Sequence, residues 1–156
     1  MPSFSVFEAA APTLAATVRD RLTATTHLTL ATLRRDGAPR ISGTECRFED
    51  GDLWIGSMWQ ALKAKDLLRD PRFALHSGSA DPPAWTGDAK IAGTAESITD
   101  PTLIAELNGE AAASGPTHLF RLDILEASTV TVDEAAKLLI IDLWTPTGGL
   151  RRIERT

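Results

Sequence analysis

Cysteine is almost missing from this 156-residue chain, with Cys46 standing alone. One thiol forms no internal disulfide and supplies no multi-cysteine metal site, so a reducing cytoplasm is the expected location. The three histidines, His27, His76 and His118, are scattered, without a second histidine or an acidic partner at zinc or iron spacing. No apolar run approaches the roughly 20 residues of a membrane helix, and Met1-Pro2-Ser3-Phe4 lacks the basic and apolar regions of a leader. Positive charge is short as well: 16 Lys and Arg against 21 Asp and Glu leave a formal charge of −5. A general nucleic-acid binder shows the opposite excess. Neither nucleic acid nor membrane is therefore an expected partner. Repeats and dividing linkers are lacking too, and one domain over residues 1–156 is the simplest organisation.

What is present is a globular balance of 43% hydrophobic and 24% charged residues. The richest stretch runs from Ala31 to Leu75. Asp36-Gly37 and Asp50-Gly51 each separate runs that can extend, and Asp-Gly supplies the positive φ angles of tight hairpins. The pattern predicts strands near Leu28–Arg34, Arg40–Phe48 and Leu53–Ser57, then a helix Gln60–Arg69. Ala61, Ala64, Leu67 and Leu68 form its apolar stripe, and Asp70-Pro71 stops it. Upstream, Pro12 opens a helix to about Leu22. Downstream, strands are expected at Phe73–Ser77, Asp88–Ile98, His118–Val132 and Leu138–Trp144, with a loop at Gly78–Trp85. Asp100-Pro101 caps and opens a further helix that ends at Ser114-Gly115-Pro116. Leu138-Leu139-Ile140-Ile141 reads as buried on both faces, and Gly148-Gly149 turns the chain into a short terminal segment. Six or seven antiparallel strands with two or three helices make a mainly β fold, a small barrel whose closure removes exposed edges.

Lys63 lies in the first turn of the helix after the third strand, and a lysine beside free helical N–H groups is a ready anion site. It is also placed to be a solvated lysine flanking the apolar stripe. Ser57 and Gln60 have capping-box spacing, so Ser57 caps the helix, contacts a phosphate, or does both. Arg40 has Glu45 and Glu49 as candidate cross-strand partners. Trp144 follows an apolar run as core residues do, and Trp54 and Trp59 read as packing residues. Ser42-Gly43 lacks the setting of a nucleophile elbow, Cys46 has no activating neighbour on its own face, and Glu106 with Glu110 reads as a solvated helix face. His76 ends a strand and reads as a hydrogen-bonded structural histidine. No single acid or base stands out as catalytic.

The block Asp36-Gly37, Arg40-Ile41-Ser42-Gly43, Gly51-Asp52-Leu53-Trp54-Ile55-Gly56-Ser57, Lys63, Leu67 and Asp70-Pro71 resembles the pyridoxamine 5'-phosphate oxidase-like flavin-binding split barrels, including their flavin/deazaflavin oxidoreductase group. Gly87 to Ala95 and the ending Trp144, Gly148-Gly149, Arg152 and Arg155 also look like members of that group. The resemblance implies a six-stranded antiparallel split β-barrel of Greek-key type, forming a homodimer with two cofactors between subunits. It implies FMN as the cofactor, or coenzyme F420 in its place, and a hydride or two-electron exchange with a small-molecule substrate. Arg40, Ile41, Ser42, Gly43 and Thr44 would line the ring together with Ile55, Gly56, Ser57 and the adjoining Met58. Ser57 and Lys63 would hold the phosphate, while Trp144 and a C-terminal arginine, Arg152, would approach from the other subunit. The chain departs from the true oxidases, which look basic where it has Glu45 and Leu62 and carry an arginine-rich signature not recognisable in Gly149 to Arg155. Oxidation of pyridoxamine phosphate is therefore not expected. A flavin- or haem-binding protein without turnover is the alternative from another class.

Overall fold

The computed structural model describes residues 2–156; Met1, the first residue of the stretch read above for a leader, lies outside them. Two helices come first, Phe4–Ala10 (α1) and Pro12–Thr23 (α2). Pro12 occupies the first turn of α2, where its fixed φ suits the helix and its missing N–H has no partner to lose. Leu14, Ala15, Val18 and Leu22 turn inward. The periodicity carries no signal for α1, because seven residues are too few for a repeating stripe and Phe4 and Phe7 are its whole buried face. Those two rings meet edge to face at 5.4 Å, Phe4 meets Phe48 at 4.8 Å, and Phe7 lies 4.9 Å from Trp144. The Arg19 guanidinium covers Phe4 and Phe48 at 5.0 and 4.7 Å, a cation over two ring faces.

The chain then runs Leu28–Leu33 (β1), Pro39–Thr44 (β2), Arg47–Glu49 (β3), Asp52–Met58 (β4), Leu62–Arg69 (α3), Arg72–His76 (β5), Asp88–Ser97 (β6), Pro101–Ala113 (α4), Thr117–Asp133 (β7), Leu138–Thr145 (β8) and Gly149–Arg155 (β9). Both Asp-Gly turns form, with φ of 85° at Gly37 and of 51° and 79° at Asp50 and Gly51. Every ladder is antiparallel, and six strands follow one another in the order β2-β1-β5-β6-β7-β4. The two ends of that order, β2 and β4, approach each other without pairing, which leaves a split in the barrel. Leu30, Leu53, Ile55, Leu75, Ile91, Phe120, Leu122 and Ile124 fill the interior, continuous with the inner faces of α1 and α2. The fold is mainly β with flanking helices, an antiparallel split barrel.

Four details differ from the pattern-based expectation. Arg40–Phe48 is two strands, because β2 pairs with β1 and β3 with β4, and the chain crosses the split at Glu45-Cys46. Helix α3 starts at Leu62 and not at Gln60, whose φ of 62° is left-handed and cannot continue a helix. Leu138–Ile141 is half exposed and not doubly buried, since β8 pairs with the far half of β7 and stands out from the barrel. The terminal segment is a full seven-residue strand, β9, pairing with β8 from Leu139↔Arg155 to Thr145↔Gly149. With β3, β8 and β9 added to the six barrel strands the sheet has nine.

Candidate functional site at the barrel split

A groove of about 710 Å3 opens at the split. Gly43 and Thr44 of β2 form one side, with Glu45, Cys46 and Arg47 where the chain crosses. Trp54 and Gly56 to Met58 of β4, with Thr117 and Leu119 of β7, form the other. Lys63 of α3 closes one end, Leu107, Asn108 and Ala111 of α4 lie over it, and His27 stands at the mouth.

Lys63 is the second residue of α3, and its Nζ donates to Gly43 O at 2.7 Å, joining α3 to β2. Burial pulls its ammonium below the usual lysine range, while nearby Glu45 pushes it back up. No side chain caps α3, and its first in-helix bond is Lys65 N–H to Ala61 O. The N–H groups of Leu62, Lys63 and Ala64 are those a helix start leaves without an intrahelical acceptor. Lys63 thus brings its ammonium to the groove from the first turn of α3, where these N–H groups lie. Ser57 is not the cap, because the helix begins too late; its Oγ donates to Met58 O at 3.3 Å.

Asp66, one turn further on, is the anchor that sequence reasoning missed. Only 3% exposed, it accepts from Thr32 Oγ1 (2.8 Å), Arg40 Nε (2.7 Å) and Arg69 Nη2 (3.0 Å). Burial alone would raise its carboxyl pKa, but the bonds from Arg40, Thr32 and Arg69 outweigh that and hold it below the usual range. The network ties α3 to β1 and β2. It also corrects the expected pairing of Arg40 with Glu45 or Glu49. The available signal was a charged residue set between Ala64 and Leu67 on the apolar side of α3.

Helix α4 covers the groove with Leu103, Ile104, Leu107 and Asn108 half-buried and none of its residues fully buried. Asp100 caps it through Oδ1, which accepts the Thr102 N–H at 2.9 Å. Gly109 breaks it at φ 50°, ψ −124°, a conformation closed to most side chains. On one side of the break Arg47 Nη1 donates to Leu107 O at 2.8 Å, and Asn108 Nδ2 donates to Thr117 Oγ1 (2.7 Å) and His118 O (3.1 Å). A Cβ on Gly56 would come 2.8 Å from Asn108 Oδ1, so glycine there leaves room for the Asn108 side chain in this orientation. Burial pushes the Cys46 thiol up to about 11, which leaves it protonated and unreactive at neutral pH.

Of the residues singled out from sequence, the groove gathers Gly43, Thr44, Gly56, Ser57, Met58 and Lys63. Arg40, Ile41 and Ser42 precede it along β2, with Arg40 turned to Asp66 and Ile41 74% exposed. Ile55 is buried in the barrel interior and is not on the lining. Trp144 is 3% exposed, packed against Phe7 inside its own chain and off the groove lining. Arg152 is held by Asp142 across the β8–β9 hairpin at 2.8 and 3.0 Å, away from the groove. His76 is likewise off it, with Nδ1 2.6 Å from Ser77 O.

Residues 14–131 match the family model described as pyridoxamine 5'-phosphate oxidase. No curated protein matches the chain. Among solved structures, a pyridoxamine 5'-phosphate oxidase-related, FMN-binding protein from Nostoc punctiforme superposes with a TM-score of 0.65 at 15% identity, over 90% of this chain and 94% of that one. PhzG from Burkholderia lata, in complex with tetrahydrophenazine-1-carboxylic acid, gives 0.61 at 15% identity, over 96% and 88%. An F420 reductase gives 0.51 at 18% identity, over 69% and 90%. At these identities the likeness is one of fold.

Proposed function

Because the chain belongs to the pyridoxamine 5'-phosphate oxidase family, we propose that it is an oxidoreductase that binds FMN in the groove at the barrel split and exchanges a hydride or two electrons with a small organic substrate. The observation that carries the reading is the polarity of that groove. Lys63 and the open N–H groups of α3 stand at one end, suited to a phosphate. Gly43, Gly56, Trp54, Met58 and Leu119 offer backbone and apolar surface suited to a flat ring. Its volume lies in the ordinary range for small-molecule sites. Bound there, the flavin supplies the redox chemistry, and the protein supplies position and electrostatics.

Ile41, Met58, Trp59 and Leu62 are all more than half exposed in or beside this groove. Apolar side chains gathered at an open site support a second copy of the chain as its cover, which makes the active form a homodimer. Glu45 beside Lys63 opposes a further anion, so pyridoxamine phosphate is not the proposed substrate.

Coenzyme F420 is the second reading, favoured by the scarcity of free cations. Arg40 is engaged by Asp66, and Arg47 by Leu107 O and Glu49, leaving Lys63 for the phosphate. At the phosphate itself, a phosphodiester carries one negative charge where the FMN monoester carries about two, so a single lysine suits it there.

Titrating the purified protein separately with FMN, riboflavin and coenzyme F420, read by absorbance and fluorescence, tests both readings. Saturable binding of FMN, tighter than riboflavin, is expected, with a sedimenting mass of about two chains. A folded protein that binds none of the three refutes the assignment, and F420 binding without FMN selects the second reading. Flavin binding without turnover across a panel of small oxidants and reductants would make the protein a carrier.

A further inference from the structure

The turn from β4 into α3 aims Lys63 and the open N–H groups, and its own residues hold it poorly. Gln60 is left-handed at φ 62°, where a Cβ is unfavourable, and Trp59 is half exposed. Two bonds close the turn. Ala61 N–H donates to Met58 O at 3.1 Å, and Gln60 N–H donates to His118 Nε2 at 3.2 Å. His118 reaches it from β7, where it is the cross-strand partner of Ser57. It is 8% exposed, the Trp59 ring stacks on it at 4.6 Å and 12°, and Asn108 of the α4 cover bonds its carbonyl.

We propose that His118 is a positioning residue for the phosphate end of the groove: neutral, it holds the Trp59–Gln60 turn through Nε2, and protonated it lets the turn go. This rests on the phosphate site proposed above. A nitrogen that accepts an amide N–H carries no proton, so His118 is the neutral Nδ1–H tautomer in this structure. A proton on Nε2 turns the acceptor into a donor facing a donor, and the bond is lost. Burial holds its pKa below the ordinary histidine range, so the bond is intact at neutral pH and is released as pH falls through that lowered value. The ionisable side chains on the surrounding elements are Asp52 on β4, Lys63, Lys65, Asp66 and Arg69 on α3, Asp88, Lys90 and Glu96 on β6, Glu106 and Glu110 on α4, and Arg121, Asp123, Glu126 and Asp133 on β7; burial is the single cause of the shift.

Two substitutions separate the latch from mere packing. His118→Gln keeps an acceptor that does not titrate, and His118→Phe keeps the ring but removes the acceptor. FMN and riboflavin affinities would be measured by flavin fluorescence from about pH 5 to about pH 8, the histidine range. His118→Phe should weaken FMN about 5- to 10-fold near pH 8, the worth of one hydrogen bond, and leave riboflavin almost unchanged. The wild type should lose FMN affinity in acid more steeply than His118→Gln, in which the ligand phosphate's own titration is all that remains. In the flavin-free wild type the Gln60 amide resonance should titrate with the His118 ring, and in His118→Gln it should be flat. Equal acid loss in wild type and His118→Gln, full FMN affinity in His118→Phe, or a flat Gln60 signal in the wild type would each overturn the proposal. If the wild type binds neither flavin while Gln60 still follows His118, the phosphate reading falls and the latch stands.

Discussion

Replacing Lys63 with alanine separates a phosphate contact from a structural one. Its Nζ has three donors, of which one is spent on Gly43 O, leaving two for an anion at the α3 terminus. A hydrogen bond to a charged group contributes about 1.5–3 kcal/mol, so FMN affinity should fall about 10- to 150-fold. Riboflavin has the same ring and no phosphate, and its affinity should barely change. The substitution also removes a bond that ties α3 to β2 across the split, worth about 0.5–1.5 kcal/mol net, so urea unfolding should show a loss of that size. Lys63→Arg, which keeps the charge, should recover most of the FMN affinity. Fluorescence titration of both flavins against all three proteins is the assay. Equal losses for FMN and riboflavin would refute the reasoning, because Lys63 would then act on the fold or on general charge, and Arg40 would be the next place to look for the anion contact.

Asp66→Asn should lower stability by about 1.5–3 kcal/mol through its bonds to Arg40 and Arg69. Because the folded pKa of Asp66 is depressed, its contribution is present above the usual carboxylate range, near 3.9, and is lost as pH falls through the lower folded value; acid unfolding followed by circular dichroism should show the variant less sensitive there. Trp144→Ala should cost about 3–5 kcal/mol as a core truncation beside Phe7, while Trp144→Phe should leave flavin affinity unchanged; a selective loss of flavin binding in the phenylalanine variant would place Trp144 at the ring after all. Gly56→Ala brings a Cβ to 2.8 Å from Asn108 Oδ1, which turns that side chain away from Thr117 and His118, so stopped-flow release of flavin should be modestly faster, and an unchanged rate would show that the Asn108 bonds do not retain the ligand.

Features governed by adjacent residues were legible in the chain. Asp36-Gly37, Asp50-Gly51, Pro12 and Asp100-Pro101 each carry their turn or cap in their own backbone chemistry, and each is found in place. Features that depend on distant partners were not. Arg40–Phe48 alternates like one strand, and only the existence of separate partners in β1 and β4 breaks it. Leu138–Ile141 is apolar enough for a doubly covered strand, but its place in the β8–β9 hairpin sets its burial. The start of α3 moved from Gln60 to Leu62 because of a left-handed turn supported by His118, nearly sixty residues away. For the same reason Lys63 could be singled out from its position in a helix, whereas Asp66 and His118 could not: their roles lie in what β1, β2 and the β4–α3 turn bring to them.

The shallow burial of α4 has a kinetic side. A helix whose inward side chains are only half-buried, broken at Gly109 and fastened by a few polar bonds, can detach at less free energy than global unfolding of the barrel requires. Ligand exchange can then proceed through a sub-global opening of this one element, so residence time becomes a property of the cover and not of global stability. A mutation that weakens the core would shorten the life of the protein while leaving ligand turnover alone, and a change in the α4 fastenings would do the reverse. Lifetime of the fold and lifetime of the complex are thereby placed on separate parts of the chain, free to be tuned one without the other.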